Sequence, residues 1–342
     1  MKDTIEFLKN IHPDDDIIII FNNDGDGICS CSMLMKFLKM KKRPYIISQP
    51  MPMDKNLVNR VKTGFPKKII FLDLNADQQH NIVKKLEGIC NILIIDHHKP
   101  FRNLNSSRVV HHNPRFKDKE IYQSTSYLVY KICSEIKDMS DHLWMAAVGI
   151  VSDYDTRFST DVVDQVKEKY KIHEEKLYDT LFGRISDMIS ASNSTKSINC
   201  EYIVDQFFKA NGPEEIMNNE KMLKVYTDVE NEIKRIMEDF DKTGEIIGNF
   251  IFYNLKSSYN MRSPISTKIS DKHIGKTVIV YQKIGTKVKL SMRNQGGKVD
   301  ITKLLKKATL GLKASAGGHE RAAGAIMNVT DWEKFKERLI EQ

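Results

Sequence analysis

The stretch Ile17-Ile18-Ile19-Ile20-Phe21, followed at once by Asn22-Asn23-Asp24-Gly25-Asp26-Gly27, decides how the first half of this chain folds. A short apolar run bounded by turn residues is typical of a strand buried in a parallel sheet. The pattern recurs twice, where residues 69–72 run into Asp73 and residues 92–95 run into Asp96, His97 and His98. Parallel strands present their carboxyl ends to one crevice, so these side chains are expected to converge there. Without basic neighbours they would repel one another, and a divalent metal ion is the simplest partner.

Strand and helix patterns alternate around these runs. Further strands are predicted at residues 45–47 and 108–110, and helices at 30–42, 55–61, 77–86, 124–137 and 141–151. The last helix ends at Ser152 and Asp153. Alternation with short links predicts an α/β fold with a doubly wound parallel sheet.

The second half changes character. Residues 174–245 form a largely helical, polar segment, broken at Asn211-Gly212-Pro213. Strands are then predicted at 246–255, 277–282 and 287–292, followed by a helix at 301–307, a Gly-rich loop and a terminal helix at 330–340. We therefore expect a metal-binding catalytic domain over residues 1–173, a helical connector over 174–245, and a smaller α/β substrate-binding domain over 246–342.

Charge is distributed unevenly along the chain. Residues 246–342 contain 18 Lys or Arg and 7 Asp or Glu, a net charge of +11, whereas the whole chain carries +8 and the first 245 residues therefore −3. A basic module beside an acidic, metal-ready module favours a polyanionic substrate such as nucleic acid. Lysines that merely solubilise a small domain would give the same imbalance.

The composition indicates in which cellular compartment the protein resides and argues against a membrane-spanning helix. The chain is 41% hydrophobic and 29% charged, and no apolar run approaches the roughly 18 to 20 residues that cross a bilayer. Its first residues lack the basic-then-apolar layout of a secretory signal. Five cysteines without framework spacing indicate a reducing compartment. We expect a cytoplasmic protein in which Cys29 and Cys31 are small packing residues.

Each acidic motif taken alone has an ordinary interpretation. Asp24-Gly25-Asp26-Gly27 suits a hard cation, but Asp-Gly is also common turn chemistry. Asp73 after a strand could cap the next helix, and Asp153 could lie in a surface turn. Asp96-His97-His98 combines ligand types that suit Mn²⁺, although buried histidines also serve packing. The recurrence of all four motifs at element ends favours the metal-binding interpretation.

With these motifs the chain resembles the DHH phosphoesterase superfamily, and most closely its RecJ-like and oligonucleotide-degrading members of archaeal type. The triplet Asp96-His97-His98 gives the superfamily its name, and Asp24/Asp26, Asp73 and Asp153 match its other amino-terminal motifs. The run from Gly317 to Gly324 resembles the GGH-xx-AAG motif of the associated carboxyl-terminal domain, and residues 291–293 resemble its S-x-R element.

This resemblance implies two Mn²⁺ ions, for which Mg²⁺ or Co²⁺ could substitute. Asp73 would bridge the ions, Asp24 and Asp153 would complete one site, and Asp26 and His97 the other. His98 would lie nearer the scissile phosphate and, with Asp73, act in catalysis. The roles of Asp96, His111 and His112 stay open. The chain departs from the superfamily at Ile20 and Asn22, where a ligand often stands, which predicts weaker binding at one site.

The carboxyl-terminal motif suits an anion. Gly317 and Gly318 permit close approach of the backbone and present N–H groups, while His319 and Arg321 add a donor and a fixed charge. Arg293 could bind phosphate through two hydrogen bonds. We expect these five residues to bind substrate, although a Gly-rich turn explains the glycines equally. Lys303, Lys306 and Lys307 either follow a nucleic-acid backbone or form a solvated helix face.

The resemblance implies a Mn²⁺-dependent exonuclease that releases 5′-mononucleotides from single-stranded DNA, RNA or oligonucleotides. A second possibility keeps the metal ions but acts on a cyclic dinucleotide or a phosphoadenosine phosphate. A third is a weakly active or inactive scaffold with a replication or repair protein as partner. Neither the direction of digestion nor the oligomeric state is indicated by the sequence.

Overall fold

The computed structural model describes residues 1–296 and 299–341 of the chain, with the side chain of His319 also left out. The chain divides into two compact units, Met1–Tyr226 and Thr227–Gln342. The division falls within one long helix and does not coincide with either predicted boundary of the connector, so the three-part division at residues 173 and 245 stays a prediction.

A five-stranded sheet forms the centre of the first unit. Its strands are β1 (Ile17–Phe21), β2 (Tyr45–Ser48), β3 (Lys68–Leu72), β4 (Asn91–Ile95) and β5 (Val109–His112). They are all parallel and stand in the order β2-β1-β3-β4-β5. The order reverses at β1, so the β1 and β3 ends flank the switch point at which α/β sheets bind ligands.

Helices cover both faces of this sheet. The helices up to residue 152 are α1 (Lys2–Lys9), α2 (Gly25–Leu38), α3 (Leu57–Lys62), α4 (His80–Glu87), α5 (Thr125–Ser134) and α6 (Leu143–Ser152). Alternate strand residues such as Ile18, Phe71 and Ile94 share a core with residues of α3 and α4. On the other face α2 packs against β1 and β3, and α5 against β4. The predicted doubly wound α/β fold is confirmed.

Helix α2 begins earlier than the sequence predicts. It starts at Gly25 rather than at residue 30, because Asp24 is its N-cap and accepts a hydrogen bond from the Gly27 N–H at 3.0 Å. A Cβ at position 27 would stand 2.3 Å from the carbonyl oxygen of Asn22, so only glycine fits this tight turn. The helix ends at Leu38, where Lys39 takes a left-handed conformation. Asp26 thereby lies in the first helical turn rather than in a loop.

The remainder of the first unit is helical. It contains α7 (Thr160–Tyr170), α8 (Leu181–Thr195), α9 (Cys200–Lys209), α10 (Pro213–Met217) and the start of α11 (Glu220–Thr243). Trp144 of α6 packs on Phe207 of α9 with ring centroids 5.2 Å apart, and both are fully buried. The predicted helical character of this segment, with its break before Pro213, is confirmed.

A six-stranded mixed sheet forms the second unit. Its elements are β6 (Glu245–Ile247), β7 (Phe250–Asn254), α12 (Arg262–Lys272), β8 (Thr277–Ile284), β9 (Lys287–Arg293), α13 (Ile301–Ala308), β10 (Ala314–His319), β11 (Ala322–Asn328) and α14 (Trp332–Ile340). The strand order is β10-β11-β9-β8-β7-β6, and only β7 and β8 pair in parallel. A core of strand residues and of α13 and α14 covers one face, with Trp332 against Tyr281.

Two predictions in this unit are wrong. The single strand at residues 246–255 is two antiparallel strands, because Gly248 adopts a left-handed φ of 54° and turns the chain. The Gly-rich loop is a β-hairpin, in which Gly317 pairs with Gly324 and Gly318 with Ala323. Glycine and alanine have low strand propensity, but β11 also pairs with β9, and this ladder outweighs the local preference.

The structure bears on two expectations from composition. Among the described residues, none of the helices has both the length and the apolar character that a bilayer crossing requires. All five cysteines are buried and unpaired, as expected for packing residues.

Candidate metal centre

The carboxyl ends of β1, β3 and β4 bring the first three predicted motifs together. The backbone there continues the sheet, since the Asn22 N–H bonds to the Leu72 carbonyl at 3.2 Å and the Asp73 N–H to the Ile95 carbonyl at 3.0 Å. Asp73 has a left-handed φ of 59°, a conformation that L side chains other than Asn and Asp rarely adopt. This strained turn directs a fully buried carboxylate into the cluster.

His97 joins the motifs at the centre of the cluster. Its Nε2 lies 3.3 Å from Asp73 Oδ1 and 3.3 Å from Asp153 Oδ2, so the fourth motif converges with the others. Its Nδ1 is buried and has no hydrogen-bond partner in the described part of the chain. A buried imidazole with an unsatisfied nitrogen and two carboxylates beside it suits a metal-binding cluster.

Two groups of ligand atoms share His97. One contains Asp73, His97 and His98 and the other Asp26, His97 and Asp153, with the atoms of each group within 4.8 Å of one another. Carboxylate oxygens and imidazole nitrogens are suitable ligands for Mn²⁺. These residue types therefore fit the divalent metal centre that the resemblance implies, whereas the division of the ligands between two ions, with Asp73 as the bridge, stays a prediction.

Asp26 is held by a distant part of the chain. Its Oδ2 accepts from the Thr125 N–H at 2.7 Å and its Oδ1 from the Ser126 N–H at 2.8 Å, both at the beginning of α5. The Thr125 hydroxyl also donates to Asp73 Oδ1 at 3.2 Å. The positive end of α5 thus faces the carboxylates and partly offsets their charge.

The carboxylates are too crowded to ionise normally without a cation. Burial, together with Asp24 nearby, raises the pKa of Asp73 well above its usual range. Burial and Asp73 do the same for the pKa of Asp26, and burial raises the pKa of Asp24. No ion pair within residues 1–296 and 299–341 joins these three groups to Lys or Arg. Metal ions would supply the missing charge.

Asp24 and Asn22 lie beside the two ligand groups. Asp24 belongs to neither group, and one of its oxygens accepts the hydrogen bond from Gly27 N–H that caps α2. The Asn22 Nδ2 donates to the other oxygen of Asp24 and, at 3.2 Å, to Asp73 Oδ2. Asn22 therefore presents a donor, not a ligand oxygen, toward the cluster. The predicted pairing of Asp24 with Asp153 at one ion stays a prediction.

Asp96 and His98 form a pair at the edge of the cluster. Asp96 is buried, and its Oδ1 lies 2.7 Å from His98 Nδ1, while the His98 side chain is 35% exposed. Burial would lower the pKa of His98, but the hydrogen bond to Asp96 raises it to about 9. The same bond lowers the pKa of Asp96 despite its burial. Asp96 therefore orients His98 and favours its protonated form.

His111 and His112 are not brought into the ligand groups. His111 is buried beside Phe116, and its Nδ1 accepts from the Leu104 N–H at 3.3 Å. Burial lowers the pKa of His111 and lowers that of His112 to about 4. Both are neutral near pH 7, and His111 serves the packing of the loop before β5.

Asp153 is positioned by residues that the sequence analysis did not single out. The Tyr122 hydroxyl donates to Asp153 Oδ2 at 2.9 Å, and the Tyr122 ring lies 5.0 Å from that of His97. Gly149 permits α6 to approach α5, because a Cβ there would stand 2.1 Å from Ser126 Oγ and 3.1 Å from Asp26 Oδ1. The predicted beginning of α5 at residue 124 is confirmed to within one residue, because Ser124 is the N-cap of this helix.

The second unit places most of the predicted substrate-binding residues around one cavity. Gly317, Gly318 and Arg293 line a cavity of about 330 Å³, together with Asn260 and Arg262, which the sequence analysis did not single out. Arg321 lies in the hairpin turn and lines a separate cavity with Thr302 and Glu320. The side chain of His319 lies outside the described residues.

The two glycines of this hairpin differ in what surrounds them. A Cβ on Gly317 would meet no atom of the described residues within 4 Å, so this backbone is open to the cavity. Gly318 has a φ of 149°, and a Cβ there would stand 2.4 Å from the Ala323 Cα. Gly318 is therefore needed for the hairpin, whereas Gly317 leaves room for a ligand.

Sequence comparison identifies both parts of the chain. The profile of the "DHH family, N-terminal domain" matches residues 16–150, and that of the "DHHA1 domain" matches residues 257–342. The chain belongs to the DHH family of phosphoesterases and carries a DHHA1 domain after its amino-terminal domain. A search of curated protein sequences gave no significant match.

Solved structures show that the fold is RecJ-like. Exonuclease RecJ bound to manganese is similar with a TM-score of 0.75 at 14% identity, over 99% of this chain and 93% of that one. CDC45 from Entamoeba histolytica follows with 0.63 at 11% identity, over 99% and 98%. PggH, a pGpG-specific phosphodiesterase from Vibrio cholerae, has 0.56 at 14% identity, over 96% and 98%. At these identities the likeness defines the fold.

Proposed function

We propose that this protein is a Mn²⁺-dependent phosphodiesterase that degrades single-stranded nucleic acid or short oligonucleotides to 5′-mononucleotides. The observation that carries the proposal is the position of His97 Nε2, 3.3 Å from both Asp73 Oδ1 and Asp153 Oδ2, where two groups of ligand atoms meet. Membership of the DHH family and the RecJ-like fold support the same chemistry.

The residues of the cluster would together bind two divalent ions. His97 belongs to both groups of ligand atoms, with Asp73 beside it in one group and Asp26 and Asp153 in the other. Bound divalent ions would activate a water molecule and neutralise the charge of the phosphate. The helix end at Thr125 and Ser126 fixes Asp26, and Tyr122 fixes Asp153, so both carboxylates are oriented before an ion binds.

His98 is the group most suited to contact a substrate phosphate. Its Nδ1 is engaged by Asp96, so Nε2 is the atom that can face a ligand, and the side chain is accessible. A charged imidazole at this place would donate a hydrogen bond to a phosphate oxygen. We therefore assign Asp96 to positioning and His98 to substrate contact.

The second unit supplies features for binding an anion. Arg293 and Arg262 line the cavity that the open backbone of Gly317 also borders. The excess positive charge of residues 246–342 acts over the same unit. Guanidinium groups and open backbone suit a phosphate group of the substrate.

A time course of hydrolysis tests the proposal. End-labelled single-stranded DNA and RNA, each as a 5-mer and a 20-mer, are incubated with the full chain and Mn²⁺. We expect stepwise loss of nucleotides, abolished in Asp73→Asn, and the position of the label reports the direction. Asp77→Asn is the matched control, since Asp77 is equally buried and, among the described residues, accepts hydrogen bonds only from the backbone N–H groups of Phe101 and Arg102. Cleavage that persists in Asp73→Asn would contradict the proposal.

Small dinucleotides are a second candidate class of substrate. The likeness to a pGpG-specific phosphodiesterase and a cavity of about 330 Å³, at the small end for ligand pockets, favour this class. Turnover of pGpG, a cyclic dinucleotide and a phosphoadenosine phosphate would be compared with that of the 20-mer. A large preference for a dinucleotide would replace the exonuclease assignment without changing the metal chemistry.

A replication scaffold is the third candidate. The likeness to CDC45 and the amide donor that Asn22 directs at Asp24 and Asp73 favour it. Isothermal titration with Mn²⁺ separates this candidate from the enzymes. A correctly folded chain that binds no Mn²⁺ and cleaves none of the substrates would support a scaffold with a replication or repair protein as partner.

A further inference from the structure

We propose that a surface beside the metal centre binds unpaired nucleobases by stacking. The surface, called here the aromatic rim, consists of Tyr154, Arg157, Phe158 and Tyr178. Three of these residues lie in the segment that directly follows Asp153, and all four are exposed in the first unit. The inference takes its class of ligand from the proposed function and adds a site for the bases.

Tyr154 is exposed in a way that the fold does not require. Its side chain is 76% exposed although it follows directly on Asp153, whose carboxylate belongs to the cluster. Its φ of 54° lies in the left-handed region, where glycine or asparagine would be favoured. An exposed aromatic residue in a strained conformation contributes little to stability, which points to a role in binding.

Tyr178 supports the ring of Tyr154. The two rings are nearly parallel, with centroids 5.9 Å apart and an angle of 19° between their planes. The Tyr178 hydroxyl donates to Asp187 Oδ1 at 2.9 Å, which ties this ring to α8. The pair therefore forms an oriented platform. Tyr154, the more exposed of the two residues, has a ring face open to a base.

The segment that carries the rim is anchored at its middle. Asp155 is buried, and its Oδ2 accepts from the Ser124 N–H at 2.6 Å and from the Ser159 hydroxyl. The Gln123 side chain donates to the Phe158 carbonyl at 3.2 Å. These bonds fix the exposed segment to the beginning of α5, the same helix end that holds Asp26.

Arg157 and Phe158 add a third ring and a positive charge to the rim. The Arg157 guanidinium lies 5.5 Å from the centroid of Phe158, and both side chains are exposed. Aromatic rings interleaved with arginine suit a single strand, because bases stack on rings while the guanidinium contacts phosphate or stacks itself. Every base has a stacking face, so the rim is expected to bind without sequence preference and to disfavour paired bases.

Fluorescence anisotropy of the full chain tests this inference apart from catalysis. In EDTA, binding is measured for a labelled thymidine oligomer of about ten nucleotides and for an abasic oligomer of the same length and charge. We expect the base-bearing oligomer to bind roughly tenfold more tightly, and Tyr154→Gly to remove that preference while leaving the abasic affinity unchanged. Tyr154→Phe keeps the ring and should bind like the wild type.

Phe65 offers a matched control. It is 86% exposed with a left-handed φ of 41°, but it precedes β3 and therefore lies at the amino-terminal ends of the strands, opposite to the carboxyl ends that carry the metal centre. Phe65→Gly therefore removes an exposed, strained ring far from the metal centre and should leave both affinities unchanged. Equal weakening by Phe65→Gly, or equal wild-type affinity for the two oligomers, would overturn the inference, as would retention of the base preference in Tyr154→Gly.

The outcome is distinguishable from that of the proposed function. Base-dependent binding that Tyr154→Gly abolishes, in a protein that cleaves none of the oligonucleotides, would uphold the rim and reject the exonuclease. Hydrolysis of the oligonucleotides together with equal affinity for the base-bearing and abasic oligomers would uphold the exonuclease and reject the rim.

Discussion

The Asp96 carboxylate fixes the His98 imidazole, with Asp96 Oδ1 lying 2.7 Å from His98 Nδ1. Through this contact a residue buried at the end of β4 sets the orientation and charge of an accessible one. The first prediction concerns this pair.

Asp96→Asn should lower kcat by roughly 10- to 100-fold, because a neutral amide orients the imidazole less firmly. In the wild type the pKa of His98 is raised to about 9, so the imidazole stays protonated through neutral pH. In the variant this pKa should fall, and the proton should leave at lower pH. NMR titration of the His98 ring in metal-free protein measures this pKa. An unchanged pKa in Asp96→Asn would contradict the role of Asp96 as the residue that positions His98.

Mn²⁺ should stabilise the first unit, since an ion that binds only the folded state raises the free energy of unfolding. At 100 times its dissociation constant the gain is about 2.7 kcal/mol, which corresponds to several degrees in Tm. The shift should disappear in Asp26→Asn and Asp73→Asn and persist in Asp77→Asn. Thermal unfolding followed by circular dichroism with Mn²⁺ or EDTA measures it.

Gly149→Ala should both destabilise the first unit and weaken metal binding. The added methyl group would collide with Ser126 and press on Asp26 Oδ1, so α5 and α6 must separate. Overpacking of this kind costs about 2 kcal/mol. Gly88→Ala is the control, because its Cβ would have an ordinary 3.5 Å contact with the Lys85 carbonyl. Urea unfolding and Mn²⁺ titration of both variants measure the difference.

Asp15→Asn should destabilise the first unit by about 3 kcal/mol, because it leaves the buried Lys68 ammonium without its carboxylate. Burial alone would raise the pKa of Asp15, but hydrogen bonds from Lys67 and Lys68 lower it well below the usual range. A lowered pKa in the folded state means that the stabilisation is present above the ordinary carboxyl pKa of about 3.9 and is lost as the pH falls below it. Urea unfolding should therefore show a large difference between variant and wild type at neutral pH that shrinks in acid.

The two glycines of the β10–β11 hairpin should respond differently to alanine. The methyl group of Gly317→Ala would meet no atom within 4 Å in the described part of the chain, so Tm should be unchanged while KM for the substrate rises. Gly318→Ala collides with Ala323 and should lower Tm of the second unit. Steady-state kinetics and thermal unfolding of both variants separate the effects. An unchanged KM in Gly317→Ala would argue against a ligand in this cavity.

The strands of the first unit could be predicted because each is a short apolar run ended by a polar motif. The position of each motif at a strand end then predicted its convergence, and Asp73, Asp96 and His97 lie where expected. The beginning of α2 could not be predicted, since Gly25 and Gly27 disfavour helix locally and the cap by Asp24 outweighs them. The prediction of a Gly-rich loop was wrong for a similar reason, because the strand that stabilises the hairpin, β9, is distant from it in sequence.

Parts of the site that depend on tertiary contacts were beyond sequence reasoning. Nothing in the residue types of Tyr122 or Gly149 signals that they adjoin Asp153 and Asp26. The strained conformation of Tyr154 is equally invisible in the sequence. The motifs supply reactive groups, whereas their supports come from elements up to a hundred residues away.

The two hydrogen bonds to Asp26 come from backbone N–H groups of α5 rather than from side chains. Any residue except proline at positions 125 and 126 would provide these N–H groups. The amino acids tolerated at these positions would therefore not reveal that Asp26 depends on them. What must be preserved is the place at which a helix begins. If α5 began one residue earlier or later, Asp26 would lose these two hydrogen bonds, although every sequence motif would be unchanged.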